Sequence, residues 1–295
     1  MKTLVADIGG TNSRLAIAIT SRQDKEITLK NIHKFRNSDF NNFDEVIKRY
    51  LSISDERSIS RMCIAAAGII SDTTVEMSNL NWKITVPSLQ KTAKIDEVFI
   101  INDLQAQGYA LDCIEPNDLE ELIEGSYSKG PNDTKLVCGM GTGFNVAIAY
   151  QTAFGTFVPA SEYGHARTTT ANEKQKMILK KLEENSSFVS YENILAGPGL
   201  NRLDQVLNQR KDRTPSDILS AAQEGDFKAK EVGSQLAGFA GQAFGDFALM
   251  NMALGGVYLI GGVARAIMPY LKEENFKQNF YDRGNFSEIM KKISV

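Results

Sequence analysis

Residues 4–18 read LVADIGGTNSRLAIA, and this stretch decides the fold. It predicts an apolar strand, a bend rich in glycine and threonine, and a second apolar strand that runs back. The same arrangement returns at residues 136–149, which read LVCGMGTGFNVAIA. Two such hairpins in the two halves of the chain predict two related α/β domains that face one ligand.

Both bends have the composition of an anion-binding turn. Glycine lacks a Cβ and can adopt positive φ, so backbone N–H groups can approach an anion closely, and a threonine hydroxyl adds a donor. Neither bend ends in the Gly-Lys-Ser/Thr of the nucleotide loop, and neither leads straight into a helix. An ordinary hairpin turn that needs glycine is the alternative for either copy alone. Two copies in register, one of them preceded by Asp7, favour phosphate binding.

The size and charge of the chain narrow the class of partner. A chain of 295 residues and 32.5 kDa exceeds the usual size of one domain, so two domains are expected. Its 33 Lys and Arg residues against 36 Asp and Glu residues give a formal net charge of −3. This balance provides no basic surface for nucleic acid or for an acidic membrane, so a small diffusible partner is expected.

The cysteines and histidines argue against disulfides and metal ligands. Cys63, Cys113 and Cys138 lie far apart in apolar runs and are predicted to be reduced residues of the core. His33 and His165 are the only imidazoles in the sequence, so a structural zinc site lacks both ligands and spacing. The first residues lead directly into a strand, and no apolar run reaches membrane-spanning length. A cytoplasmic protein with no membrane partner is predicted.

Periodicity places the remaining elements. The predicted strands after the first hairpin cover residues 26–35, 61–68, 98–103 and 257–262, and the predicted helices cover residues 42–51, 172–184, 216–224 and 226–252. Pro116 should end the helix that begins after Asp103, which predicts a boundary between domains 1–113 and 114–295. Small residues recur along 226–252, so this helix should pack closely against a neighbour. It could also serve the interface of a homodimer.

Asp103 is the first candidate for chemistry. The strand 98–103 is apolar and ends in Asn102 and Asp103, and residues past the carboxyl ends of parallel strands face the ligand crevice of such a sheet. A carboxylate there can accept the proton of a substrate hydroxyl while the neighbouring amide holds the substrate. Asp103 also suits the N-cap of a helix 104–111, and the two roles are compatible.

A second group of candidates lies in the later half. Glu162 and His165 flank a glycine at a spacing that lets a carboxylate and an imidazole converge on a ligand rich in hydroxyls. An ordinary surface loop is the alternative for this pair. Glu192 could join them, although a glutamate just after Ser190 also fits a helix-capping pattern.

Taken together, these motifs make the sequence resemble the bacterial ATP-dependent glucokinase family. Each motif alone is weak, but seven of them occur in the family's order and spacing over essentially the whole chain. The motifs are Asp7-Ile8-Gly9-Gly10-Thr11-Asn12, Ser78-Asn79-Leu80-Asn81-Trp82, Ile101-Asn102-Asp103, GMGTG at 139–143, Glu162-Tyr163-Gly164-His165, the segment from Glu192 to Gly199, and Gly261-Gly262.

The resemblance implies two actin-like (ribonuclease-H-like) α/β domains that close over ATP and a hexose in the cleft between them. By position, Asp103 would be the general base for the sugar 6-hydroxyl, and Asp7 would orient Mg²⁺ through water. The implied hexose ligands are Asn102, Glu162, His165 and Glu192. The residues implied to surround the ATP phosphates are Gly9, Gly10, Thr11, Gly139, Gly141, Thr142 and Gly143. Gly261 and Gly262 would lie near the adenosine.

The sequence departs from the family in three places. Asn145 stands where the phosphate loop often has another glycine, so any loss of nucleotide affinity should originate there. Tyr163 adds bulk beside two implied sugar ligands. The chain also ends at Val295, where the family continues through a strand and a helix that returns to the first domain. The leading hypothesis is a glucose kinase. The alternative is a catalytically weak regulatory protein on the same fold that binds sugar or nucleotide. A DNA-binding repressor is disfavoured because the chain opens on a strand.

Overall fold

The computed structural model describes residues 1–20, 27–56, 58–71, 73–77, 80–127, 130 and 133–295, with Ile69 described by its backbone alone. Glu26 of the predicted third strand, Ser78 and Asn79 of the second motif, and residues 128–129 and 131–132 lie outside the described residues. The chain divides into two compact units, Met1–Ala106 and Gln107–Val295. The sequence places this boundary at Cys113. The division into compact units falls earlier, after Ala106, inside the helix that begins at Asp103.

Unit 1 is built on a five-stranded sheet. Its elements are β1 (Lys2–Ile8), β2 (Asn12–Thr20), β3 (Ile27–Arg36), α1 (Phe43–Ser54), β4 (Arg61–Ala66), β5 (Gly68–Ser71), β6 (Thr74–Met77), β7 (Lys83–Thr85), α2 (Val86–Ala93), β8 (Glu97–Asn102) and α3 (Asp103–Ala110), which crosses into unit 2. The strand order is β3-β2-β1-β4-β8. β1, β4 and β8 run parallel, so their carboxyl ends share one edge. Asn42, the first residue of the predicted helix 42–51, is the cap of α1, because its side chain accepts the N–H of Glu45.

A second, smaller sheet covers part of unit 1. β5, β6 and β7 pair antiparallel in that order, and the sequence pattern does not indicate them as a separate sheet. Trp82 is buried between β6 and β7, and its ring lies 6.3 Å from that of Phe43 on α1. The core of this unit therefore joins both sheets to α1.

Unit 2 repeats the central motif of unit 1. Its elements are β9 (Lys135–Met140), β10 (Phe144–Thr152), β11 (Gly155–Phe157), α4 (Glu173–Glu183), α5 (Tyr191–Leu195), α6 (Gly197–Asn208), α7 (Pro215–Gln223), α8 (Phe227–Met250), β12 (Val257–Ile260), α9 (Gly262–Ala266), α10 (Met268–Leu271), α11 (Glu274–Tyr281) and α12 (Ser287–Met290). The sheet order is β11-β10-β9-β12. In each unit the first strand of a glycine hairpin also pairs with a parallel strand.

The small residues of α8 pack inside unit 2. A Cβ on Gly241 would lie 3.2 Å from the carbonyl carbon of Phe276, and one on Gly245 would lie 2.6 Å from the carbonyl oxygen of Phe280, so α11 lies directly against this side of α8. The predicted close packing is confirmed. Because α11 covers these glycines, a homodimer would have to use another surface.

A polar cluster around Asp112 connects the three strands β9, β10 and β11. The Asp112 carboxylate accepts Lys135 Nζ at 2.6 Å and Gln151 Nε2 at 2.9 Å, and it also accepts the Thr156 hydroxyl. These hydrogen bonds outweigh burial and lower the pKa of Asp112 to about 2. The cluster fixes the segment that follows α3 onto the sheet.

Two predictions about individual residues and segments can be compared with the structure. Cys138 is buried and Cys63 is half-buried, but Cys113 is exposed, because it follows α3 in a short turn at the surface rather than in a core strand. The core prediction for Cys113 is therefore wrong. Within the described part of the chain, no helix combines the length and the apolar character needed to cross a membrane.

Candidate active site

Strand register brings the acidic candidates of unit 1 to one edge. Asp7 pairs with Ala65 of the parallel strand β4, and the next residue of β4, Ala66, pairs with Asn102 of β8. The carboxyl ends of all three parallel strands therefore meet at this edge. Asp103 follows directly at the start of α3. The structure thus brings Asp7 to the strand-end edge at which the sequence pattern predicts Asp103.

Asp103 has the electrostatic setting of a base. Burial raises the pKa of its carboxyl above the ordinary value, the N–H of Leu104 lowers it, and the negative charge of Asp7 raises it again, with a net upward shift. The Leu104 N–H donates to Asp103 Oδ1 at 2.8 Å. A carboxylate whose charge is disfavoured in this way is a stronger proton acceptor, which suits general-base chemistry.

The cap of α3 is formed mainly by Asn102, where the sequence suggests Asp103. Asn102 Oδ1 accepts the N–H of Leu104 at 2.9 Å, and Gln105 Oε1 accepts the N–H of Asn102 at 2.9 Å. The two side chains exchange hydrogen bonds as in a capping box, except that Asn102 accepts the N–H of the second helical residue, Leu104, and not of the third. The two residues therefore divide the predicted roles, and Asp103 Oδ2 takes no part in the cap.

A buried asparagine that sequence reasoning missed braces the first bend. Asn37 is 1% exposed. Its N–H donates to Thr11 O at 2.9 Å, its Nδ2 donates to Gly9 O at 2.8 Å, and its Oδ1 accepts the Ser13 hydroxyl at 2.7 Å. One side chain therefore fixes both ends of the bend and the start of β2. In the sequence, Asn37 is marked only by its position just after β3. The pairing of β2 with β3 is what brings it to the bend.

Asp7 is accessible at the end of β1. Its Oδ2 accepts Arg14 Nη1 at 2.9 Å across the β1–β2 ladder, and both side chains are more than half exposed. Such an exposed pair contributes little to stability, so Asp7 can exchange partners at small cost. Among the described residues, no group of three or more His, Cys, Asp or Glu side chains is arranged to hold a metal ion by itself.

The second bend lies between two other glycine-rich segments. The N–H of Gly141 donates to Gly143 O at 2.9 Å, which closes the turn, and the N–H of Gly197, at the start of α6, donates to Gly141 O at 2.8 Å. Gly139 pairs with Ile260 of β12, so Gly261 and Gly262 continue beside this bend. The structure thus groups the nucleotide candidates of unit 2.

The surroundings of the glycines separate structural ones from candidate ligand positions. Gly261 has φ +103° and a Cβ there would lie 2.7 Å from the Met140 carbonyl carbon, so the backbone itself requires glycine. At Gly141 and Gly262, φ is not in the left-handed region, and no described atom lies within 4 Å of the position that a methyl group would take. Gly9 would meet only Asn12 O, at 3.6 Å. Neither packing nor a left-handed backbone accounts for these three glycines, so they stay candidates for close approach of a ligand.

Asn145 organises the loop that carries Glu162 and His165. Its Nδ2 donates to Glu162 Oε2 at 3.0 Å and to Ser161 O at 2.8 Å, and its Oδ1 accepts the N–H of Gly164 at 3.2 Å. His165 Nε2 lies 3.9 Å from Glu162 Oε2, and both side chains are more than half exposed. The two predicted hexose ligands therefore lie together and accessible. Asn145, which the sequence indicates as a departure within the phosphate loop, is directed to this loop.

Tyr163 does not crowd these two ligands in the way its position in the sequence indicates. Its ring packs edge-on against Phe247 of α8, with the ring centroids 5.1 Å apart, and joins the core of unit 2. The tyrosine ring is thus directed into unit 2, whereas the side chain of His165 is exposed. The bulk that the sequence places beside Glu162 and His165 is therefore packed against the core of unit 2.

Glu192 contacts the second bend. Its Oε2 accepts the N–H of Phe144 at 3.1 Å, one residue beyond Gly143. The cap of α5 is made without it, since Ser190 and Asn193 form the capping box. The alternative capping role is therefore not used, and the carboxylate lies half-buried where the bend meets β10.

A cavity in unit 2 lies apart from most of these residues. It has a volume of about 670 Å³, lies along the edge strand β12, and contains Gly261 alone among the predicted site residues. Its walls are formed mainly by residues 107–122 and 256–271. The candidate chemistry therefore does not depend on it.

Comparison with known proteins identifies the family. The family model described as Glucokinase matches residues 4–295. The chain belongs to the glucokinase family. The glucokinase of Saccharophagus degradans is 30% identical over an alignment that covers 99% of this chain and 92% of that protein. The resemblance inferred from the seven ordered motifs is confirmed.

Solved glucokinases share the fold. The crystal structure of a glucokinase from an Antarctic psychrotroph matches with a TM-score of 0.90 at 28% identity, over 100% of this chain and 93% of that one. The glucokinase of Balamuthia mandrillaris, solved in complex with glucose, matches with a TM-score of 0.76 at 19% identity, over 99% of this chain and 88% of its own. The chain is thus a glucose kinase with a mixed α/β fold, and the comparisons lend no support to the regulatory alternative.

Proposed function

We propose that this glucokinase transfers the γ-phosphate of ATP to the 6-hydroxyl of glucose, with Asp103 as the general base. The raised pKa of Asp103, at the sheet edge shared with Asp7, carries the proposal. Asp103 Oδ1 is engaged by Leu104, so Oδ2 would take the hydroxyl proton. Glucose-dependent ADP release, measured for the wild type and for Asp103→Asn, tests the assignment: turnover by the variant should be roughly 10²- to 10⁴-fold slower than by the wild type.

The hexose would be held by side chains from both units. Asn102 Oδ1 is engaged in the helix cap, so its Nδ2 is the donor that it would offer to a hydroxyl. Glu162 and His165 supply an acceptor and an imidazole from one loop, and Glu192 supplies a second carboxylate beside the bend. Such ligands orient the sugar, which is a large part of catalysis when a nucleophile must align with a phosphate.

The ATP phosphates would lie against the glycine bends. Gly9, Gly10 and Thr11 in unit 1 and Gly139, Gly141, Thr142 and Gly143 in unit 2 are the proposed positions, and the unexplained open space at Gly9 and Gly141 supports them. Gly262, with the same open space, and Gly261 would approach the adenosine.

Mg²⁺ fits the residues at the first bend. It prefers oxygen ligands, keeps several waters, and commonly binds through one or two carboxylates and the substrate phosphates. Asp7 offers one exposed carboxylate in an ion pair that is readily exchanged. When bound, the ion neutralises charge on the phosphates, and Asp7 would orient it through water.

The proposed architecture is a pair of domains that close over the two substrates. The two units would be the actin-like domains predicted from sequence, closing a cleft over both substrates so that water does not compete for the phosphate. We propose that unit 1 supplies the base and that both units supply ligands for the phosphates and the hexose. We further propose a cytoplasmic location and a homodimer that uses a surface other than the α8 glycines. We propose no nucleic-acid or membrane partner.

Gly141→Ala separates ligand binding from folding. Because the added methyl meets open space and φ needs no glycine, the melting temperature should stay unchanged or rise slightly, as for a compatible Gly→Ala change worth about 0.4–1 kcal/mol. The methyl would instead occupy the approach to the phosphates, so the KM for ATP should rise roughly tenfold, the loss of about one hydrogen bond. Steady-state kinetics and calorimetry measure both, with the KM for glucose as internal control. An unchanged KM for ATP would remove Gly141 from the phosphate site.

A further inference from the structure

Asn145 sits between the two halves of the proposed site in unit 2. It is the second residue of β10, directly after the second bend, and pairs with Gly139 in the ladder. Its side chain spans from β10 to the loop 161–165 and makes contacts to Ser161 O, Glu162 Oε2 and the N–H of Gly164. The loop with two hexose candidates is thus tied to the strand that begins at the phosphate bend.

An amide is the side chain that fits these neighbours. Its NH₂ group meets two oxygens, the carbonyl of Ser161 and the carboxylate of Glu162, while its oxygen meets two N–H groups, those of Val146 and Gly164. A carboxylate would place negative charge against Glu162 and the carbonyl, and an apolar side chain would leave the loop N–H without its acceptor.

We propose that Asn145 is a positioning residue for hexose binding that acts through Glu162. This inference rests on the proposed role of Glu162 as a hexose ligand. The hydrogen bond to Oε2 holds one orientation of an exposed carboxylate, and the contact to Gly164 fixes the turn that begins directly after Glu162. Asn145 therefore sets the affinity for glucose, where its place in the motif suggests an effect on the nucleotide.

Charged and titratable groups also face this contact. Glu162 faces Asn145 directly, His165 lies 3.9 Å from the same carboxylate oxygen, and Glu192 contacts the preceding residue, Phe144. His165 and Glu192 are present in the wild type and in every variant below. A pH effect that appears only in a variant therefore reports on the new carboxylate at position 145 and the groups that face it, Glu162 and His165.

Asn145→Asp gives the most specific result. At pH 8 the two carboxylates would repel each other, and the KM for glucose should rise on the order of 10- to 100-fold, while the KM for ATP stays within about twofold. Toward pH 5 one carboxyl of such a pair takes up a proton more readily than either alone, so the ratio of variant to wild-type KM should fall. A purely structural defect would not vanish on acidification.

Gln151→Glu is the matched control. It makes the same amide-to-carboxylate change on the same strand, against the carboxylate of Asp112, but touches none of the proposed ligands. It should lower the melting temperature and leave the KM for glucose within about twofold at both pH values. A rise in this KM equal to that of Asn145→Asp would overturn the inference.

Asn145→Ala and Glu162→Ala, singly and combined, decide whether the effect passes through Glu162. We expect Asn145→Ala to raise the KM for glucose about tenfold in the wild-type background and less than about twofold in Glu162→Ala. Equal effects in both backgrounds, or a larger effect on ATP than on glucose, would overturn the inference alone. If Glu162→Ala itself leaves the KM for glucose unchanged, the proposed hexose role of Glu162 fails and the inference falls with it. This cycle decides the matter even if Asn145→Asp does not fold.

Discussion

Asp103→Asn should lower kcat for glucose by roughly 10²- to 10⁴-fold, the usual contribution of a positioned general base. Asparagine keeps the size of the side chain and an oxygen that can accept the Leu104 N–H, so the start of α3 should be preserved. The affinity for glucose, measured by calorimetry, should change little, because the change removes proton acceptance rather than the hexose ligands. The substitution should therefore lower kcat and leave glucose binding almost unchanged.

The pH dependence of the wild type checks the same assignment. The protonated carboxyl cannot accept the hydroxyl proton, so kcat/KM should fall as the pH drops through the pKa of Asp103 in the free enzyme. Because burial and Asp7 raise that pKa, this acidic limb should lie above the ordinary value of 3.8. The limb should be missing from the residual activity of Asp103→Asn.

Glu97→Gln provides the control for this experiment. Glu97 begins the strand that ends at Asn102, and it pairs with Arg61 at the exposed opposite end of the sheet. The same loss of one carboxylate there should leave kcat and its pH profile unchanged. If Asp103→Asn kept more than about a tenth of the wild-type kcat, Asp103 would not be the base.

Gly164→Ala should disrupt the hexose loop. A Cβ on Gly164 would overlap the carbonyl oxygen of Phe144 and lie 2.9 Å from its carbonyl carbon. Those atoms belong to β10, whose pairing with β9 begins at Phe144, so the strand resists displacement. The loop must move, and with it Glu162 and His165. Overpacking of this kind costs roughly 1–3 kcal/mol or more, and displaced ligands should raise the KM for glucose about 100-fold.

Gly141→Ala is the matched comparison for Gly164→Ala. Both make the same substitution within the glycine-rich part of unit 2, but the methyl at 141 meets open space. Calorimetric unfolding should therefore separate them, with a clear fall in melting temperature for Gly164→Ala alone. Glucose titration should show weakened binding for the same variant. Wild-type melting temperature and glucose affinity in Gly164→Ala would show that the loop tolerates the displacement, against the geometry described above.

The sequence predicts the parts of the site that depend on local pattern. The two glycine hairpins are recognisable from strand, bend and strand, and Asp103 from its place after an apolar strand. In both units the structure has a parallel strand beside the hairpin, as that pattern requires. These features are coded within about a dozen neighbouring residues, which is why a single sequence suffices for them.

The contacts that orient these residues are not local and could not be predicted. Asn37 reaches the first bend from the end of β3, and Glu192 reaches Phe144 from a helix 48 residues later. The position of Tyr163 in the sequence says nothing about which side of the turn its ring takes, and only the presence of Phe247 on α8 decides it. The sequence alone indicates Asn145 as a defect of the phosphate loop, because its partners in the loop 161–165 are visible only in the fold.

The most direct test of the account is the identity of the product. The purified protein would be incubated with ATP, Mg²⁺ and glucose, and the products resolved by phosphorus NMR together with ADP measurement. We expect glucose 6-phosphate and ADP in equal amounts, with neither formed by Asp103→Asn at a comparable rate. Binding of ATP and glucose without a phosphorylated sugar, or phosphate on a hydroxyl other than the 6-hydroxyl, would contradict it.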